Sequence, residues 1–168
     1  PWEHQGLGAQ ERLYDAGTSL LSSEFGVEGM ANARTLDHVV PEANRWPPTR
    51  DHAVYRHLGD WWNNADLVQR SFGEALRDLD AIRRASQWLQ AEGLRYAVEA
   101  NRRRWPRNSG TIPWQLNESY PNAWCTSAID HRGDAKPGYF AVADAYEAVH
   151  VCASYATTAW AGRPRIEA

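Results

Sequence analysis

Hydrophobic positions recur along this chain in two rhythms, and the way they alternate suggests an architecture. Over residues 72–103, Leu76, Leu79, Ile82, Leu89 and Ala97 return every three to four residues. Arg77, Arg83, Arg84, Glu92 and Arg95 fall mostly elsewhere, which is the pattern of an amphipathic helix. Gly93 interrupts that helix at a cost of ~1 kcal/mol relative to Ala, so close packing is expected where its side chain is missing. A second stripe of Tyr139, Phe140, Val142, Ala145, Tyr146 and Val149 predicts a helix over 137–149.

The runs at 19–25, 110–116 and 150–155 read as strands, the first closed by Gly26. A helix over 31–40 is expected to stop at Pro41, which cannot continue the backbone hydrogen-bond ladder. Residues 44–51, with Trp46-Pro47-Pro48, read as an irregular loop, and 52–69 as a mixed stretch with Trp61 and Trp62 in a short helix. Before these, a loop-like start leads into a short helical pattern at 10–16. The main order is strand, long helix, strand, helix, strand, the signature of βα units in a parallel sheet.

Composition narrows the function classes. The chain has 168 residues, 43% hydrophobic and 23% charged, as in an ordinary single globular domain. A formal charge of -3 provides no basic field for nucleic acid, and Arg102-Arg103-Arg104 is a local cluster. No apolar run approaches the ~20 residues of a membrane span. The start Pro1-Trp2-Glu3-His4 is neither a signal peptide nor a natural initiator, so a piece of a longer protein is expected. The compartment stays open. Cys125 and Cys152 make no disulfide framework or zinc site and are expected as buried thiols. The 6 His lack metal spacing, and no glycine-rich phosphate loop or Gly-x-Ser-x-Gly elbow occurs, so neither metal nor cofactor is expected.

The 9 Trp are the compositional oddity. Trp offers a large apolar face with a hydrogen-bonding edge, suited to cores and to sugar contacts alike. Trp114 lies near the end of the 110–116 run, with Gln115, Asn117, Tyr120 and Trp124 after it. An indole at a strand end with amides around it can serve as the floor for a pyranose ring. Glu24, at the end of the 19–25 run beside Ser23 and Gly26, can face a cleft and stay ionised through hydrogen bonds. By residue type alone, Glu24 reads first as an ordinary strand-terminal carboxylate, and a core indole is the alternative for Trp114.

In family order, four motifs resemble glycoside hydrolase family 2, most closely its β-mannosidases and related exo-acting enzymes. Ser23-Glu24-Phe25-Gly26 and Trp114-Gln115-Leu116-Asn117 resemble the last two barrel strands. Gln90-Ala91-Glu92-Gly93-Leu94-Arg95-Tyr96 resembles the helix between them, and Lys136-Pro137-Gly138-Tyr139-Phe140 the start of the final helix. Pro1-Trp2-Glu3-His4 and Tyr14-Asp15-Ala16-Gly17 are similar to the connection before the seventh strand.

The resemblance implies an α/β fold: part of a (β/α)8 TIM barrel, its last two βα units, over 1–149. Residues 150–168 would then begin a following β-domain, with 150–155 as the first strand of its sandwich, or form a tail. It implies a retaining exo-β-glycosidase acting on a β-linked glycoside or oligosaccharide. Glu24 would be the nucleophile and Trp114 the sugar platform, while Asn117 and Gln115 would either hydrogen-bond sugar hydroxyls or satisfy loop backbone, Asn117 being the preferred sugar contact. Trp2 and His4 would line the cleft, and Trp124 would either shape its rim or pack in the core. The acid/base carboxylate of such enzymes lies in an Asn-Glu pair upstream of Pro1. Asn117-Glu118 belongs to the eighth-strand motif, so Glu118 is expected as a rim or structural carboxylate. The chain alone would then be inactive and would self-associate through exposed barrel edges. Asn117-Glu118-Ser119-Tyr120 departs from the commoner Asn-Asp-Cys-Trp, which leaves the shape of the pocket rim open. The alternatives are a non-catalytic carbohydrate-binding or scaffold module, and a helical interaction module with Trp in the core.

Overall fold

A computed structural model describes residues 14–73 and 76–155. Strand β1 (Ser22–Phe25) and strand β3 (Thr111–Pro113) pair in parallel. Parallel neighbours need a crossover, and helix α4 (Leu79–Arg103) lies on it, as the alternating rhythm suggests. Both strands are shorter than the runs that announce them. The pairing nevertheless begins earlier, with the amides of Ser109 and Ser22 bonding to the carbonyls of Leu20 and Gly110 at 2.7 and 2.9 Å.

A second, antiparallel pair joins β2 (Gly29–Met30) to β4 (Trp124–Cys125). Two-residue strands are too short to leave a hydrophobic period, so nothing in the sequence pattern announces them. Helix α1 (Ala33–Val39) ends before Pro41 as expected. Helix α2 (Ala53–His57), a 3-10 turn at Asp60–Trp62 and helix α3 (Ala65–Phe72) fill the mixed stretch.

The helix expected over 72–103 starts only at Leu79, and Phe72 is instead the last residue of α3. Gly73, at φ 76, closes α3 in a conformation that favours glycine. Asp78 then opens α4, its carboxylate accepting the Ala81 amide at 2.8 Å. Helix α5 (Pro137–Ala145) is shorter than its apolar stripe suggests.

Helix α4 joins two cores. Its first half presents Ile82 and Leu89 to a cluster with Met30, Leu36, Tyr55, Val68 and Trp124. Its second half presents Leu94, Ala97 and Val98 to Phe25, Val27 and Ala145. At the junction, a Cβ added to Gly93 would lie 3.0 Å from Cγ2 of Val27. The helix thus packs against the chain just after β1 at a distance only glycine accommodates without adjustment.

Residues 150–155 form no strand. They are held by side chains instead: His150 Nε2 meets the buried Glu99 carboxylate at 2.8 Å, and Glu99 also receives Arg95 at 2.7 Å. This hydrophobic run is therefore a strap across α4 where a strand was expected. Among the described residues the sheets have two strands each, and no closed barrel is present.

Candidate functional site

β1 does not follow a plain alternation, and the departure positions its carboxylate. Ser22 registers with Thr111 and Phe25 with Pro113, so three steps along β1 match two along β3. Such a slip re-aims side chains locally, as bulges do near functional sites. Ser23 and Glu24 are consequently both exposed, while Phe25 turns into the core. Among the described residues nothing bonds to the Glu24 carboxylate.

The Trp114 amide donates to the Phe25 carbonyl at 2.6 Å, placing Trp114 just past the C-terminal end of β3, beside the residue after Glu24. The indole is 43% exposed, so a core role does not account for it. The Trp114–Gln115 peptide bond is cis. Gln115 is half-buried, its Nε2 donating to Sγ of Cys125 at 3.5 Å, whereas Asn117 is exposed. Glu118 is occupied: its carboxylate accepts the Tyr120 amide at 2.9 Å and Asn122 Nδ2 at 3.3 Å. That agrees with a structural role.

Trp124 requires a correction. It is 0% exposed and sits in the first core, so of its two readings the rim, and with it a sugar contact, is the one that fails. A Trp in a polar loop sequence looks like a surface residue because β4 is invisible in the pattern. Trp2 and His4 lie outside the described residues.

Because β1 and β3 are parallel, the segments that follow them, 26–78 and 115–136, leave from the same end of the sheet. The β2–β4 pair ties these two excursions together, and two buried polar side chains reinforce the tie. Gln90 Nε2 donates to the carbonyls of Val27 at 3.0 Å and of Thr126 and Ser127 at 3.1 Å each. Lys136 Nζ donates to Gly29 and Cys125 carbonyls at 3.3 and 3.2 Å. Asp130 adds a third link, accepting the Asn32 amide at 3.1 Å.

Burial disfavours the cation and lowers the Lys136 pKa to about 8, against a partial rise from Cys125, Asp130 and Glu118. Burial also pushes the Cys125 thiol up, with help from a hydrogen bond to Glu118. Cys125 is a buried free thiol as expected, while Cys152 is only half-buried and accepts from Arg103 at 3.4 Å. In the sequence, Lys136 stands out only as a helix opener. Nothing about a lone Lys before Pro137 signals that it is fully buried.

Beside β3 lies a largely apolar groove of about 260 Å³ between Pro113, Leu116 and Ala128 on one side and Tyr139 and Val142 of α5 on the other. Among the described residues no cluster of three or more His, Cys, Asp or Glu could hold a metal ion, and no helix is long and apolar enough to cross a membrane.

No family model matches the chain. Individual proteins do. Over 149 residues it is 31% identical to β-mannosidase B of Emericella nidulans, covering 80% of this chain and 17% of that enzyme. The β-mannosidase B of Neosartorya fischeri is likewise 31% identical over 150 residues, 81% of this chain and 17% of the enzyme. A crystal structure of β-D-mannosidase from Dictyoglomus thermophilum superposes with a TM-score of 0.70 at 20% identity, over 87% of this chain and 18% of the other. An Amycolatopsis orientalis exo-chitosanase, solved with PNP-β-D-glucosamine, gives 0.73 at 18% identity over 93% and 20%. The chain thus spans about a sixth of the length of the curated relatives it matches.

Proposed function

The chain belongs with the β-mannosidase-like sequences of glycoside hydrolase family 2, and from that premise we propose that it is the last two βα units of a retaining exo-β-glycosidase barrel. Glu24 is the nucleophile. Its carboxylate attacks the anomeric carbon, an ester bond forms as the glycosidic bond breaks, and the leaving oxygen takes a proton from a second carboxyl group. Water then adds to the anomeric carbon, passing its proton back to that second group and releasing Glu24. Trp114 stacks on the sugar being cleaved, with Asn117 beside it. Gln115 has a smaller part, because its amide already faces the Cys125 sulfur.

The observation that carries this reading is the parallel β1–β3 pair, which sets Glu24 and Trp114 at the same end of the sheet, both exposed. Carboxyl-terminal strand ends are where barrel enzymes hold their catalytic groups. The likeness to β-mannosidases supports a β-mannoside as substrate, and the exo-chitosanase likeness keeps β-glucosaminides as the second choice. The second carboxyl group belongs to the remainder of the parent enzyme, so these 168 residues alone are inactive.

Glu24→Gln in the full parent enzyme is the test. It keeps the size of the side chain and removes the nucleophile, so kcat is expected to fall by roughly a thousandfold or more with the melting temperature unchanged. Activity close to wild type would remove Glu24 from this role.

A further inference from the structure

The two excursions from the C-terminal ends of β1 and β3 meet at an exposed pair of side chains. Tyr120 Oη lies 3.4 Å from Nε2 of His57, and both residues face solvent. The backbone fixes the pair from either side. The carbonyl of Leu58, next to His57, accepts the amides of Ala123 and Trp124 at 2.9 and 3.3 Å. Gly59 follows at φ 102, where a Cβ would lie 2.3 Å from the Trp124 carbonyl oxygen, so only glycine allows this approach. On the second excursion, Glu118 holds the Tyr120 amide and the Asn122 side chain.

His57 and Tyr120 are therefore preorganised without being buried. A phenol carries a donor and lone pairs, and an imidazole has two ring nitrogens. One mutual contact leaves both with hydrogen-bonding capacity, and each keeps a ring face. Rigid aromatic groups with a polar tip lose little entropy on binding, which suits them to sugar hydroxyls and the apolar face of a pyranose.

We propose that His57 and Tyr120 form a subsite for the leaving side of the substrate, the sugar released as alcohol when the glycosidic bond breaks. This rests on the glycosidase reading above. Trp114, directly at the strand end, floors the sugar that is cleaved off. Tyr120 stands further along the same excursion than Trp114 and His57 comes from the other one; on this proposal the pair meets the part of an oligosaccharide beyond the scissile bond.

The test compares two substrates in the full parent enzyme: an aryl β-mannoside, which has no second sugar, and a β-1,4-linked mannobiose. Tyr120→Phe and His57→Gln are each expected to raise KM for the disaccharide about tenfold, the effect of one lost hydrogen bond with some lost orientation. Both constants for the aryl mannoside should stay within about twofold of wild type, which also reports that the variant is folded. Equal losses on the two substrates would mean that the pair only holds the loops together, and no loss on either would mean that it touches nothing. Both results overturn the subsite alone. A wild-type enzyme that cleaves neither these substrates nor the matching glucosaminides would instead overturn the glycosidase reading, and the subsite with it.

Discussion

The backbone amide of Trp114 donates to the carbonyl of Phe25 at 2.6 Å, and this bond links the proposed sugar platform to the strand that carries Glu24. One hydrogen bond across a parallel pair fixes the height of the indole relative to the carboxylate. Catalysis by a nucleophile depends on such registration, because small displacements from a near-attack geometry are costly.

Trp114→Ala in the parent enzyme is accordingly expected to lower kcat/KM by roughly ten- to a hundredfold, through loss of stacking area and edge contacts. Trp114→Phe should retain part of that, since a smaller face remains. Steady-state kinetics on an aryl glycoside provide the measurement. An alanine variant with unchanged kcat/KM would show that the exposed indole does not meet the sugar.

The long-range arrangement is more legible in the sequence than the local one. A hydrophobic rhythm needs several turns or strand steps to repeat, so α4, α5 and the parallel runs that α4 connects can be read from it, while the short α1 is legible through its stop at Pro41. Gly93 marks a contact point, and Val27 occupies the space its side chain would take. The break between α3 and α4 is also written in the chain, as Gly73 followed by Asp78, but apolar residues on both sides mask it. β2 and β4 leave no trace, because a two-residue strand has no period, and that is why Trp124 resembles a rim residue. The 150–155 run misleads for another reason. Its position is set by the contact between His150 and Glu99, a tertiary interaction that no local pattern encodes.

Lys136 provides a prediction in pH. Its side chain is fully buried, with a pKa lowered to about 8 from 10.5. Below pH 8 the fold must hold a cation that the unfolded chain keeps in water, so the group lowers stability there. Between about pH 8 and 10.5 the folded protein has released a proton that the unfolded chain still binds, and stability gained from this group rises across that window. The full change is roughly 3 kcal/mol. Lys136→Met removes the titrating group. Melting temperatures of both proteins measured from pH 7 to 10.5 should show the wild type gaining relative to the variant as pH rises. Parallel curves would mean that Lys136 titrates near its ordinary value.

The edges of the β1–β3 pair lead to the last expectation. Leu20 is 66% exposed, Ile112 55% and Leu116 62%, and β3 has a hydrogen-bonded neighbour on only one side among the described residues. Parallel strands are ordinarily covered on both faces, and an open edge with apolar neighbours recruits another chain when nothing else occupies it. In the proposed parent enzyme the rest of the barrel covers this surface. Expressed alone, the 168 residues should therefore associate, with apparent mass rising with concentration in light scattering. Replacing Ile112 and Leu116 by Lys should reduce that association by placing charge along the open edge. A monomer whose mass is independent of concentration would show that the piece covers its own edge, and would weigh against its being part of a larger barrel.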